Sequence, residues 1–177
     1  MRQKRKEKQY DIAAKFNKTG RFIDDLFTLN NDLVMQEYMS HIYPPELLLN
    51  KENENDTHTT FLDLDISLTD NKITHALYDK RDDFPFEIVN FPHLDGNICT
   101  TNAYGILIGQ LIRYANACMF YSDFLARTST LLKKLLSQKF TRRKLTQKFR
   151  DFYDRHLHTV SKYNVPLDTM LADCFSV

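Results

Sequence analysis

The chain has 177 residues, 42% hydrophobic and 27% charged, with a net charge of +1. That is the size of one ordinary domain with enough apolar material for a core, which argues against wholesale disorder. Four Gly and five Pro exclude collagen-like and linker-like chains. The three widely spaced Cys (Cys99, Cys118, Cys174) match neither a disulfide framework nor a zinc pattern, and read as buried free thiols of a reducing compartment.

In chain order, residues 1–20 form a basic lead-in. Tyr10, Ala13, Ala14 and Phe16 give it a short helical face, and Asn17-Lys18-Thr19-Gly20 breaks it. Residues 21–30 are apolar on both sides of Asp24-Asp25. Asp is poor strand interior and good turn material, so the pattern predicts a strand, a tight turn at the two Asp and a returning strand. Asn31 or Asp32 can cap a helix to about His41, with Leu33, Val34, Glu37 and Tyr38 in its turns and Pro44-Pro45 as its stop. Residues 51–59 read as a polar loop. Residues 61–68 alternate: Phe61, Asp63, Asp65 and Ser67 share one face, Leu62, Leu64, Ile66 and Leu68 the other, which predicts one half-buried strand. Asp70-Asn71 makes a turn, and residues 72–78 return as the hairpin partner. Residues 79–101 are loop-rich, with Pro85, Pro92 and Gly96.

From Asn102 the apolar period becomes helical. Ile108, Leu111, Ile112, Ala115 and Met119 recur on one face. Ser122 can cap a second helix carrying Thr128, Leu131, Leu132 and Leu135 inward, and Thr141 a third with Leu145, Phe149, Phe152, Tyr153 and Val160 in one stripe. The expected class is α+β: a basic lead-in over 1–20, a small antiparallel unit with one helix over 21–80, a connecting loop over 81–101 and a helical bundle over 102–177.

The net charge hides strong segregation. Residues 1–21 carry +6, residues 22–70 carry −10, residues 71–132 carry −1, residues 133–162 carry +8 and residues 163–177 carry −2. Acidic residues between basic flanks fit either opposed solvated surfaces or a cation-holding carboxylate site with basic arms for a polyanion. The start lacks the apolar core of a secretory signal, and the longest uncharged run, residues 96–112, holds too many polar residues to span a membrane. An intracellular chain, nuclear or cytoplasmic, with no membrane partner is expected.

Asp24-Asp25 is the sharpest chemical feature. Paired carboxylates at a hairpin tip can offer hard oxygen ligands to Mg²⁺ or Mn²⁺, and two such ions about 4 Å apart clamp an in-line phosphoryl displacement. Side by side the charges repel, which a bound cation relieves. A second option is a metal nuclease that adds Asp63 and Asp65 to the pair. A third is a nucleic-acid-binding module without catalysis. His156 and His158 fall on different helical faces and make a poor metal site.

Phe22-Ile23-Asp24-Asp25 resembles the aromatic-x-Asp-Asp box of reverse transcriptases, with Phe in the usual Tyr position. The stretches Leu29-Asn30-Asn31, Phe61-Leu62-Asp63-Leu64, Leu77-Tyr78-Asp79-Lys80-Arg81-Asp82-Asp83-Phe84, Ile88-Val89-Asn90-Phe91-Pro92, Ala103-Tyr104-Gly105, Gln110-Leu111-Ile112-Arg113-Tyr114 and Tyr121-Ser122-Asp123-Phe124-Leu125 follow in order. Together they resemble the downstream part of retroelement reverse transcriptases of the Penelope-like and related lineages, to about Phe175. The resemblance implies that residues 21–80 are the C-terminal half of a polymerase palm and the helices a thumb. It makes Asp24 and Asp25 the metal-holding catalytic pair, Phe22 and Ile23 neighbours of the nucleotide or primer, and RNA template and DNA primer the partners. In the basic segment, Arg142, Arg143, Lys144, Lys148 and Arg155 would contact backbone phosphates. The first three stand in a first helical turn, where the helix dipole disfavours cations. The family's third metal-binding Asp and its fingers lie upstream of the box, where only Glu7 and Asp11 precede Asp24 here. The expectation is a fragment of an RNA-directed DNA polymerase that binds Mg²⁺ weakly, does not polymerise alone, and pairs with a missing N-terminal part.

Overall fold

The structure, a computed structural model, describes residues 10–29, 32–86 and 88–176. The chain divides into two compact units, Met1–Asn53 and Glu54–Val177.

In the first unit a helical turn over residues 10–14 leads into β1 (Thr19–Phe22) and β2 (Asp25–Thr28), an antiparallel hairpin in the register Phe22 to Asp25 and Thr19 to Thr28. The two-residue turn is Ile23-Asp24, so the bend sits one residue earlier than expected and Asp25 already belongs to the returning strand. Helix α1 (Asp32–Ile42) follows where expected. Its proposed cap Asn31 and the side chains of Leu33 and Val34 lie outside the described residues, while Glu37 is exposed. Phe16 meets Tyr38 edge to face at 6.0 Å, Lys15 sits over the Tyr38 ring at 5.6 Å, and Met35 is buried.

The second unit begins with a three-stranded antiparallel meander: β3 (His58–Phe61), β4 (Leu64–Thr69) and β5 (Lys72–Leu77). The single strand expected over 61–68 is two strands. Leu62 adopts φ 55° and Leu62-Asp63 reverses the chain, pairing Phe61 with Leu64. Alternation continued through the turn because a two-residue loop preserves the parity of apolar positions. Asp70 and Asn71 both have positive φ, 51° and 58°. That is the primed turn whose twist suits a hairpin, and Asp and Asn tolerate it.

After β5 a 3₁₀ turn (Lys80–Asp83) is opened by Asp79, whose carboxylate accepts from the Arg81 backbone N–H at 3.1 Å and from Arg81 Nε at 2.7 Å. These bonds, the guanidinium ones foremost, outweigh partial burial and hold Asp79 down at about 2 against an ordinary 3.8. A lowered folded-state value means stability that is complete above the ordinary value and fades as pH falls from 3.8 towards 2. The pair is local, so the unfolded chain keeps part of it. Acid titration of unfolding should therefore show Asp79→Asn losing about 1 kcal/mol less between pH 5 and pH 2 than the parent.

The helices are α2 (Thr100–Ala117), α3 (Tyr121–Ser137), α4 (Arg142–Arg155), a short α5 (Leu157–Val160), a 3₁₀ turn (Ser161–Tyr163) and α6 (Leu167–Ser176). Their core gathers Leu107 and Leu111 of α2, Phe124, Leu131, Leu132 and Leu135 of α3, Leu145, Phe149 and Phe152 of α4, and Met170 of α6, all at most 2% exposed. Thr128, expected inward, is fully buried. Three expectations change. Helix α4 ends at Arg155, so Val160 reaches the core from α5. Met119 lies beyond α2 and is 42% exposed. Cys118 and Cys174 are buried, but Cys99 is exposed ahead of α2. Neither expected cap works through its side chain. Helix α3 starts at Tyr121 with Phe120 in the cap position, and Thr141 makes no capping bond, its N–H donating instead to Tyr104 Oη at 2.9 Å.

The sheet belongs to this core. Leu77 is buried in it, His75 Nδ1–H donates to the Ala117 carbonyl at 2.7 Å, and the Met119 N–H donates to the His75 carbonyl at 2.9 Å. Tyr163 Oη donates to the Cys118 carbonyl at 2.9 Å and Lys162 Nζ to that of Ala115 at 2.6 Å, so the C-terminus of α2 receives both a donor and a cation. Among the described residues no helix is long and apolar enough to cross a membrane.

Candidate functional site

The β1–β2 hairpin lifts Asp24 and Asp25 into solvent, with Asp24 in the turn and Asp25 opening β2. Phe22 and Ile23 beside them are 51% and 73% exposed, so the apolar flanks of the pair are not core residues. Ile23 takes φ 52°. A β-branched residue in the left-handed region is a true outlier, costing on the order of 1–3 kcal/mol. Arg21 holds the bend by donating from Nε to the Ile23 carbonyl at 2.9 Å, and its guanidinium sits over the Tyr43 ring at 5.5 Å. The two neighbouring carboxylates can supply part of the octahedral oxygen shell that Mg²⁺ demands, and the rest would have to come from water or substrate.

The same turn recurs in the second unit. Phe61-Leu62-Asp63 repeats the aromatic-aliphatic-Asp order of Phe22-Ile23-Asp24, and in both the aliphatic residue has positive φ. That repeat was the sequence signal for the unexpected bend. The partners differ, however. Asp63 receives Arg113 in a two-pronged pair, Nε at 3.0 Å and Nη2 at 2.9 Å, and Asp65 lies 2.6 Å from His58 Nε2. Both carboxylates are thus already engaged, and they do not share the strand face expected of them, because Asp63 is in the turn. Among the described residues no three His, Cys, Asp or Glu gather at metal-holding distances.

The basic residues lie on α4. The buried stripe of Leu145, Phe149 and Phe152 fixes which side of the helix meets water. Arg142 stacks on the Phe175 ring at 4.8 Å and Lys144 over Tyr104 at 5.4 Å, so both are partly spent on the fold. Lys148 reaches Asp151 at 3.5 Å, and Arg150 reaches Asp168 at 3.3 Å. Hydrogen bonds from Gln147 and Lys148 lower the Asp151 carboxyl, and Arg155 adds to this at longer range. Arg143 and Arg155 are exposed and, among the described residues, form no ion pair or hydrogen bond. No family model, no curated protein and no solved structure matches the chain.

Of the residues expected to act, the structure brings Phe22, Ile23, Asp24 and Asp25 to one hairpin tip in the first unit. It puts Arg143, Lys144 and Arg155, all exposed, on one helix in the second, with Lys148 half-buried on the same helix. Arg81 and Arg113 stand in stretches that carry the resemblance but were given no role of their own, and Arg127 stands in none of them. Each finds an Asp: Arg113 takes Asp63, Arg81 takes Asp79, and Arg127 takes Asp82 while also donating to the Leu77 carbonyl at 3.0 Å.

Proposed function

We propose that the chain is a portion of a retroelement reverse transcriptase, in which the β1–β2 hairpin carries two metal-holding carboxylates and the helical unit grips nucleic-acid backbone. The observation that carries this reading is the tip itself. Asp24 and Asp25 stand exposed around an Ile23 whose φ of 52° is strained while its side chain, 73% exposed, gains no burial in return. Strain that packing does not explain marks a position kept for its geometry. In an assembled polymerase, Asp24 and Asp25 would hold Mg²⁺ or Mn²⁺, and that ion would steady the charge developing on a transferred phosphoryl group. Phe22 and Ile23 would lie beside the nucleotide or primer. The exposed cations of α4 would contact the phosphates of an RNA–DNA duplex, a sequence-independent and salt-sensitive grip.

These 177 residues are proposed to bind duplex without extending a primer, because among the described residues no third metal-holding group gathers with Asp24 and Asp25, and two carboxylates alone do not align the reactants. The test is primer extension on a primed RNA template with Mg²⁺ or Mn²⁺, with binding read from the same samples. The expected result is salt-dependent binding, unchanged in Asp24→Asn/Asp25→Asn, and no extension. Extension that Asp24→Asn removes would show that this chain completes the metal site itself. Mg²⁺-dependent cleavage lost in the double variant would favour the nuclease instead. Failure to bind the hybrid at low salt would remove the thumb-like role.

A further inference from the structure

A cleft of about 290 Å³ opens in the second unit where the Leu62-Asp63 turn, the segment after β5 and helix α2 meet. Its size lies at the lower end of small-ligand sites. Three cations line it, Lys80, Arg81 and Arg113, against two carboxylates, Asp63 and Asp79. The carboxylates do not cancel the cations so much as place them. Asp63 takes Nε and Nη2 of Arg113, and Asp79 takes Nε and Nη2 of Arg81. A guanidinium has five N–H donors, so each fork is fixed while its Nη1 remains unassigned. Lys80 is exposed and has neither hydrogen bond nor ion pair among the described residues. Gln110 adds an amide whose Oε1 is buried without a partner. The remaining walls are Leu62, 46% exposed, and Tyr78, whose Oη donates to Asp83 at 2.6 Å and so holds the ring.

Preset guanidinium forks and a free ammonium beside an apolar aliphatic and aromatic wall suit a ligand with a phosphate at one end and a flat ring at the other. We propose that this cleft is a binding site for the phosphate of a nucleotide, with Lys80 as its principal charge, Arg81 and Arg113 as its positioned donors, and Leu62 and Tyr78 against the ring. The site requires neither the Asp24-Asp25 hairpin nor the cations of α4, so it goes beyond the function proposed above. The same chemistry is offered by a free mononucleotide and by one unit of a strand.

The experiment is an amide chemical-shift titration of the full ¹⁵N-labelled chain with adenosine 5′-monophosphate, with inorganic phosphate, and with a short oligonucleotide lacking terminal phosphates. Shifts are expected to cluster at residues 62–63, 78–81 and 110–113. Lys80→Glu, a surface change, should weaken adenosine monophosphate and phosphate by about tenfold or more, the worth of one charge-assisted hydrogen bond. Leu62→Asn should weaken the nucleotide and leave inorganic phosphate as it was, because Asn accepts the positive φ and only the apolar wall is lost. If the oligonucleotide moves the same amides and Lys80→Glu weakens it equally, the phosphate is a strand diester; if only the monophosphate does, it is a free monoester. Shifts absent from the cleft, or insensitive to Lys80→Glu, would overturn the site. Neither result touches duplex binding by α4, which is read separately through Arg143, Lys148 and Arg155.

Discussion

Replacing Arg143, Lys148 and Arg155 together by Ala is expected to lower the slope of log affinity against log salt for an RNA–DNA duplex by about three, and affinity at low salt by on the order of 100-fold or more. Each cation that neutralises a phosphate releases about one counterion, so the slope counts contacts whatever their geometry. The choice of three follows from what each α4 cation already does. Arg142 and Lys144 rest on the rings of Phe175 and Tyr104, so removing them disturbs packing as well as charge. Arg143 and Arg155 are exposed, and Lys148 has only a 3.5 Å contact with Asp151 to lose. Surface pairs of that kind are worth little to stability. The triple variant should therefore keep the parent's unfolding midpoint while its binding curve flattens with salt. A slope unchanged from the parent would take the grip away from α4. Loss of Arg142 and Lys144 alone should change the slope by less than two, because each ring already takes part of its cation's reach.

How much of this was legible in the sequence depended on where the controlling contacts lay. The first hairpin (its turn one residue earlier than expected, at Ile23-Asp24), the turn at Asp70-Asn71 and the inward faces of α3 and α4 are set by local turn chemistry and by period, and the structure has them. The second bend, at Leu62-Asp63, was missed because strict alternation fits one long strand as well as two short ones joined by two residues. Its trace was the repeated Phe-aliphatic-Asp order rather than any Gly or Asn. The end of α4 at Arg155 was missed for a similar reason. Val160 keeps the helical phase, yet it enters the core from a separate short helix. Exposure of Cys99 and Met119 was beyond period altogether, since both stand at helix ends, where the chain leaves the core. The carboxylate pair was readable as a motif. What was not readable is that Asp63, Asp79 and Asp82 are committed to Arg113, Arg81 and Arg127, two of which stand some 45 to 50 positions away along the chain.

Phe149→Ala should cost about 3–5 kcal/mol, the range for deleting a fully buried Phe. Phe149 is 0% exposed, sits at the centre of the α4 stripe between Leu145 and Phe152, and meets Phe152 edge to face at 6.0 Å. A domain of this size is stable by about 5–15 kcal/mol, so the loss takes a large share and, at the low end, leaves a mixed population. Urea unfolding should show the midpoint falling with its slope kept, while Phe22→Ala, at a residue 51% exposed, should move it by less than about 0.5 kcal/mol. This variant also separates two ways of losing nucleic acid. Without Phe149 the helix keeps every cation, so the folded fraction should retain the parent's salt slope while the amplitude of binding falls with the fraction folded. The charge variant should do the reverse, keeping amplitude and urea midpoint while the slope falls. If Phe149→Ala instead lowered the slope at full amplitude, the cations would depend on a fine placement of α4 by its core stripe, and the duplex grip would be a matter of geometry rather than of counted charge.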